Sequence, residues 1–362
     1  MDMALDLFNG FFKGKRVLVT GHTGFKGSWL SVWLNELGAD VVGVGLEPFS
    51  PKDNFVLSGS GKWIRADIRA DIRDGAKMKD IFSEYKPEIV FHLAAQPLVR
   101  LSYEIPVETY ETNVMGSINI MEAVRSTDSV RVVVMITTDK CYENKEQIWG
   151  YRENEPMGGY DPYSSSKGAA EIAISSWRRS FFNPDDYGKK HHVSIASVRA
   201  GNVVGGGDWA TDRIIPDCIR ALEADKPIDI RSPRAIRPWQ HVLEPLSGYM
   251  LLAEKMWNCP TQYCEGWNFG PRSESISTVW DVASKLIRHY SKGSLRDVSD
   301  PNALHEAKLL MLDISKAKFR LSWEPRTNLD QCMEMVAEWY KRYAHEDVYR
   351  LCVEQIHKFA RV

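Results

Sequence analysis

Residues 16–38 read RVLVTGHTGFKGSWLSVWLNELG. RVLVT (16–20) is a short β-branched run that predicts a strand, and Gly21, Gly24 and Gly27 follow it three apart. GSWLSVWLNELG (27–38) then sets Trp29, Leu30, Trp33, Leu34 and Leu37 on one helical face, with Gly38 as the stop. Between a strand and a helix each glycine has its own task. The first permits a tight turn and the second a close backbone approach to a ligand. The third lets the helix pack on the sheet, with a pyrophosphate at the helix amino terminus. Glycine triplets alone are weak evidence, but here the flanking elements supply the context for dinucleotide binding. Gly21, Thr23, Gly24, Phe25, Lys26 and Gly27 form the candidate cofactor loop.

Outward from this unit the pattern repeats. DVVGVGL (40–46) predicts a second strand, and a helix through 76–86 precedes the apolar strand EIVFHLAA (88–95). A helical stretch around 105–125 leads to VRVVVMITT (130–138), a run of the kind buried on both faces of a parallel sheet. A helix from Tyr163 to about Phe182 and the strand HVSIASVRA (192–200) follow. The alternation predicts an α/β fold with a doubly wound parallel (Rossmann) sheet over residues 1–200. Beyond Gly201 the rhythm loosens, with helices near 213–224, 243–257, 276–291 and 329–343. Residues 201–362 are expected to form a smaller mixed α/β lobe, with some segments returning to the first sheet. The tandem RADI in RADIRADIRD (65–74) is too short to be an architectural repeat.

Bulk properties exclude several classes. The 362 residues are 44% hydrophobic and 26% charged, with a formal charge of −2, which gives no reason to expect nucleic acid or an anionic membrane as partner. No apolar run approaches the roughly 20 residues of a membrane span, and the amino terminus lacks the layout of a signal peptide, so a cytoplasmic protein is expected. The six cysteines form no C-x-x-C pair and no zinc-ligand set, so reduced structural thiols and no metal are expected.

An NAD site usually places an acid at the end of its second strand. Glu47 is the candidate there, and Asp71 is a second acid placed for the adenine edge, unless it caps the helix starting near Gly75. No arginine follows the second strand to receive a 2′-phosphate, which favours NAD over NADP; Lys26 in the loop weighs slightly the other way.

Two further motifs carry chemistry. Tyr163 and Lys167 stand at i, i+4 on one helical face. A nearby ammonium, with a nicotinamide cation, lowers a phenol's pKa so that it can take a proton from a sugar hydroxyl as hydride leaves the same carbon. MITTDKCYEN (135–144) sets Asp139 beside Lys140 at the carboxyl end of an apolar strand, where such sheets bind ligands. The bland reading is a surface ion pair; the sharper one is an acid/base pair. Tyr142 has no evident task, His92 reads as a core histidine satisfied by backbone, and Tyr151 is near enough in sequence to touch a sugar.

GHTGFKG (21–27), HLAAQ (92–96), NVMGSIN (113–119), TTDK (137–140), YSSSK (163–167), RAGNVVGGGDW (199–209) and WNFGP (267–271) together resemble the extended short-chain dehydrogenase/reductase family, in its order and over nearly the whole chain. Within it, YRENEPMGGYDPYSSSK and AIRPWQHVLEPLSGY look most like the 4,6-dehydratases of CDP-hexoses. The resemblance implies NAD as a recycled redox cofactor, a nucleotide-sugar substrate with CDP-glucose expected, and a place in deoxysugar and O-antigen biosynthesis. It also implies a homodimer through two helices per subunit, for which 105–125 and 163–182 are the candidates.

By the same resemblance Asp139 protonates the departing C6 oxygen and Thr138 hydrogen-bonds the sugar 4-oxygen. Lys140 stands where related dTDP-glucose dehydratases carry a glutamate base, and is expected to take the C5 proton or to orient Asp139. Asp71, Ile72, Leu93, Ala94, Ala95 and Thr137 join the loop, Tyr163 and Lys167 along the cofactor. Asn202, Arg213 and Arg237 are expected on the diphosphate, where guanidinium groups bind bidentately. A 4-epimerase needs the tyrosine and lysine but not Asp139–Lys140, and a non-catalytic dinucleotide sensor needs neither pair. Action on another nucleoside-diphosphate hexose is the remaining alternative.

Overall fold

The computed structural model describes residues 7–272, 275–299 and 309–362. The chain opens with β1 (Arg16–Thr20), α1 (Phe25–Glu36), β2 (Asp40–Gly45), α2 (Asn54–Ser58) and β3 (Ala66–Arg69). Then come α3 (Gly75–Tyr85), β4 (Ile89–His92), α4 (Val99–Glu104), α5 (Pro106–Tyr110) and α6 (Gly116–Arg125). β5 (Val132–Ile136), α7 (Pro162–Ser180) and β6 (Ser194–Ala200) complete the first two hundred residues. The rest is β7 (Asn202–Val204), α8 (Ile214–Glu223), β8 (Ile228–Ile230), β9 (Ile236–His241), α9 (Leu243–Asn258), β10 (Gly266–Phe269), β11 (Ile276–Thr278), α10 (Val279–Tyr290), β12 (Leu295–Asp297), α11 (Leu329–Arg342) and α12 (Val348–Arg361).

Seven parallel strands form the central sheet in the order β10-β6-β5-β4-β1-β2-β3. β4, β5 and β6 are buried along their whole length, as strands covered on both faces must be. One face packs α3, α6 and α7 through Met78, Phe82, Ile120, Met121 and Ile174. The other packs α1, α9, α11 and α12 around Trp29, Trp33, Met250, Trp339 and Phe359. The fold is the expected doubly wound sheet, and the order reverses between β1 and β4, where such sheets open their ligand crevice.

Several elements depart from the sequence reading. α1 is buried on all sides from Gly27 to Leu34, not along one face, because α2, α9 and α12 cover its outer side. Its serines stay satisfied: Ser31 donates to the Gly27 carbonyl at 2.9 Å, and Ser28 to that of Phe25 at 2.9 Å. The stretch 105–125 is interrupted by a π-helical turn, Glu111–Met115, inside which Asn113 faces the loop after β4. β3, from the first RADI copy, is an edge strand, and β10 and α12 were not foreseen.

Of the residues past 200, β7, β9 and β11 form one small sheet, and β8 and β12 another. β10 pairs in parallel with β6, and α9 packs against β5 and β6. β2 carries two glycines because the His22 ring lies against it: a Cβ at Gly43 would overlap that ring. His22 is fully buried, edge-on to Phe55 at 5.1 Å, with Nε2 at 2.6 Å from the Asp67 carboxylate.

Candidate active site

The glycine loop lines the crevice between β1 and β4. Gly21 has φ +74°, and a Cβ there would stand 2.7 Å from the Ala94 amide nitrogen. Both the turn and the close passage of Leu93–Ala95 therefore need glycine. A Cβ at Gly27 would overlap the Gly21 carbonyl, so α1 can begin this near the turn only without a side chain. Gly24 precedes α1, is exposed and gives no side-chain cap; a Cβ there would meet only the Gly21 carbonyl oxygen, at 3.3 Å. The first turn of α1 thus has no side-chain cap, as suits a helix terminus that receives a pyrophosphate.

At the far end of the loop, Glu47 accepts from Arg69 Nε at 3.2 Å. No arginine follows β2 along the chain, but β3 lays Arg69 beside it in space, already engaged by Glu47 and Asp67. Asp71 does not cap α3; Asp74 does, accepting from the Lys77 amide at 2.9 Å. The Asp71 carboxylate instead takes Arg73 Nε at 2.9 Å and Nη2 at 2.7 Å, which holds its carboxyl below the usual range. Ile72 beside it is buried against Gly116.

At the carboxyl end of β5 the chain passes Thr137 and Thr138 into a single 3-10 turn, Asp139–Cys141. α7 starts opposite, capped by Asp161, whose Oδ1 accepts from the Ser164 amide at 2.9 Å, with Pro162 as its first residue. That start sets Tyr163 and Lys167 one turn apart and facing the β5 end, 8% and 5% exposed. Asp139 is 2% exposed and accepts from Thr138 Oγ1 at 3.0 Å. Burial pushes its carboxyl above the ordinary value, against the pull of Lys140, the Thr138 hydrogen bond and Arg237. Lys140 Nζ stands 6.0 Å from the centre of the Tyr163 ring.

Burial pushes Tyr163 up to about 12, with the Thr138 hydroxyl and Arg213 opposing and Asp139 reinforcing. The expected lowering of the phenol by Lys167 does not occur in the protein alone, because desolvation outweighs the nearby charges. Lys167 is lowered to about 8 by burial, with Glu171 opposing. Lys26 is also lowered to about 8, by burial and then by repulsion from Lys167 and Arg213, with Asp139 opposing. Lys26, Asp139, Lys140, Tyr163, Lys167, Arg213 and Arg237 therefore share one cleft.

The residues expected on the diphosphate lie on its other wall. Arg213 donates to Asp208 at 2.9 Å at the start of α8, and Arg237 on β9 donates to the Ile236 carbonyl at 2.9 Å. Asn202 opens β7 directly after Gly201, where a Cβ would lie 3.1 Å from Asp139 Oδ2. Arg231 and Arg272 are engaged elsewhere, with Asp212 and the Pro325 carbonyl.

The structure adds detail to one expectation and corrects two. The Thr137 hydroxyl turns inward to Glu171 and the Val198 carbonyl, leaving only its backbone to the cleft. Tyr151 is buried, stacked on Tyr142 at 5.3 Å, and bonds Asn144 and the Lys145 amide instead of facing the site. His92 is satisfied by hydroxyls, with Thr20 Oγ1 at 2.8 Å and Ser117 Oγ at 3.1 Å, and burial lowers it to about 3. All six cysteines are free thiols, and among the described residues no group of His, Cys, Asp and Glu could hold a metal ion.

The sequence reading missed the layer beneath. Glu171 accepts from Arg199 Nε at 3.0 Å and Nη2 at 2.9 Å, and from Ser197 Oγ at 2.7 Å. Arg199 Nη1 donates to Tyr142 Oη at 2.6 Å, which donates to Asn268 Oδ1 at 2.8 Å. The available signal was the spacing of Tyr163, Lys167 and Glu171 at i, i+4 and i+8.

Comparison with known proteins gives the family and the fold. A CDP-glucose 4,6-dehydratase of Salmonella typhimurium is 51% identical over 342 residues, covering 94% of this chain and 95% of its own. Among solved structures, a UDP-glucose 4-epimerase of Thermotoga maritima with UDP-glucose superposes at TM-score 0.75 with 24% identity, covering 91% of this chain and all of its own. A dTDP-glucose 4,6-dehydratase of Bacillus anthracis in complex with NAD superposes at 0.73 with 20% identity, covering 91% and 97%. These two carry the fold. Residues 18–336 match the family described as GDP-mannose 4,6 dehydratase. With that match over most of its length and the extended short-chain dehydrogenase/reductase motifs in place, the chain belongs to the GDP-mannose 4,6 dehydratase family.

Proposed function

We propose that this protein converts CDP-D-glucose to CDP-4-keto-6-deoxy-D-glucose and water, a cytoplasmic step of deoxysugar biosynthesis that feeds O-antigen assembly. The observation that carries the reading is Asp139: a carboxyl 2% exposed, pushed toward its protonated form, one residue from Lys140 and facing Tyr163. An acid that must protonate a leaving hydroxyl at neutral pH needs that environment. A 4-epimerase has no leaving group to protonate.

Gly21, Thr23, Gly24, Phe25, Lys26 and Gly27 would hold NAD, which when bound would supply the hydride acceptor for C4 and the hydride donor for C6. Tyr163 receives the 4-hydroxyl proton, and Lys167 beneath it supports the phenolate charge. Thr138 holds the 4-oxygen by its hydroxyl. The ketone acidifies the C5 proton, which passes to Lys140, while Asp139 gives its proton to the C6 oxygen as it departs as water. Lys140 then returns a proton to C5 as hydride reaches C6, and the proton gained by Tyr163 replaces the one Asp139 gave to water, so atoms and charge balance. Asn202, Arg213 and Arg237 hold the diphosphate in the small lobe after residue 200.

The active form is a homodimer. α5 to α7 and the turns joining them leave Val107, Met115, Ile172 and Phe181 exposed, from 43% for Phe181 to 69% for Val107, more than isolated surface apolar residues explain. Burial of these helices against a second copy accounts for them.

The test is incubation with CDP-glucose and catalytic NAD. A 4-keto-6-deoxy product without net NADH is expected. A 4-epimer alone, or conversion of another nucleoside-diphosphate hexose in its place, would overturn the assignment.

A further inference from the structure

The segment Thr137–Tyr142 carries every residue assigned to the elimination, yet the bonds its own amides make within it are long. The Cys141 amide reaches the Thr138 carbonyl at 3.4 Å, the Tyr142 amide that of Asp139 at 3.4 Å, and the Lys140 amide Thr138 Oγ1 at 3.4 Å. Well-formed N–H···O bonds run about 2.7–3.2 Å. A turn held this loosely from within takes its shape from its ends and from the Gly158 amide, which donates to the Cys141 carbonyl at 2.8 Å.

Both ends are held by one ion pair. At the first, Thr137 Oγ1 donates to Glu171 Oε1 at 2.5 Å. At the last, Tyr142 Oη accepts from Arg199 Nη1 at 2.6 Å. Glu171 and Arg199 are themselves joined bidentately, with side chains 3% and 6% exposed. The remaining capacity is used: Ser197 serves Glu171, and the Glu153 carbonyl accepts from Arg199 at 3.0 Å. Asn268, the acceptor for Tyr142, donates to the Tyr151 carbonyl at 2.8 Å and so ties the segment to β10.

Glu171 also lies on α7, two turns beyond Tyr163 and one beyond Lys167. The carboxylate that holds Thr137 is thus rigidly in register with the oxidation pair. A buried ion pair adds little stability over apolar packing of the same volume, so its retention here suits a geometric duty.

We infer that the Glu171–Arg199 pair is a positioning clamp that sets the Thr138–Asp139–Lys140 turn against Tyr163, and that the elimination depends on it more than C4 oxidation does. The inference rests on the dehydratase reading above. Tyr142 is a positioning residue in this scheme, acting through the turn that it ends.

Removing either charge would strand its partner in the core and unfold the site, so the test uses Tyr142→Phe. That variant keeps the stacking on Tyr151 and the ring beneath Arg199, 5.0 Å away, and loses only the hydroxyl. Single-turnover experiments with CDP-glucose read oxidation as transient absorbance of reduced nicotinamide, and elimination as solvent deuterium entering C5 and as product. Oxidation is expected to stay within about twofold while elimination falls by about tenfold or more, as small misplacements of catalytic groups do, with reduced cofactor accumulating. A parallel fall of both steps, with a lower melting temperature, would show a purely structural role and overturn the inference. So would no change in either. If the wild-type protein itself makes no 4-keto-6-deoxy product, the dehydratase reading fails; if it does and the partition is unmoved, only the clamp fails.

Discussion

Gly201 stands directly against Asp139: a Cβ at that position would lie 3.1 Å from Oδ2, with Pro238 Cγ at 3.0 Å on its other side. The backbone between β6 and β7 is therefore one wall of the acid's pocket, and the wall has no slack. Gly201→Ala should push the carboxyl off its line to the C6 oxygen and lower the dehydration rate by about tenfold. Melting temperature should change little, since only the carboxyl and a ring carbon must shift. Product formation and thermal melts measure the two separately.

Asp139→Asn should leave C4 oxidation in place and slow elimination by about 10²–10⁴-fold, the usual worth of a positioned acid. Its stability should move the other way. The native carboxyl holds its proton more tightly than the unfolded chain does, because burial raises it. Its contribution is present below the unfolded pKa and lost as pH rises through the native one. The amide carries no such loss. The variant should match the wild type in acid and melt higher at neutral and alkaline pH, which melts across that range would show.

The Lys167 ammonium, lowered to about 8, is faced by Glu171 on its own helix, Cys141 across the turn, Lys26 on α1 and His92 on β4. As pH rises through that value its charge is lost, and with it support for the Tyr163 phenolate. The pH profile of kcat/KM should fall on its alkaline side near 8. Lys167→Arg, charged throughout this range, should move that limb upward while lowering the plateau. An unmoved limb would assign it to another group.

The exposed stripe on α5 to α7 predicts an assembly defect. Ile172→Glu, at a position 61% exposed, should leave the monomer folded and convert the proposed dimer to monomer in light scattering. An unchanged mass would place the interface elsewhere.

The Rossmann half was legible because its strands are continuous apolar runs and its helices are punctuated by caps and glycines. β5 and the loop before α1 were readable residue by residue. The parts that escaped depend on contacts distant in the chain. β10 is four residues long and becomes a sheet strand only because β6 offers a free edge. α12 repeats Val348, Leu351, Cys352, Ile356 and Phe359 toward α1 and α2, and lay beyond the last helix inferred. Arg199 and Asn268 lie inside quoted motifs but were given no task there, Glu171 lies outside them, and their pairing joins three elements. Where the Thr137 hydroxyl goes was not legible, because its partners, Glu171 and the Val198 carbonyl, stand 34 and 61 residues away.

His22 and Gly43 bear on how this chain can change. The ring sits where a β2 side chain would stand, so the strand is short of one residue's worth of packing and borrows it from the loop. An interior strand glycine costs about 0.5–1 kcal/mol relative to alanine. A variant that shrinks residue 22 leaves a hole and a needlessly bare strand, and one that enlarges residue 43 evicts the imidazole from Asp67. Each position is thus tolerable only with its present partner, and the two are free to drift through sequence only as a couple.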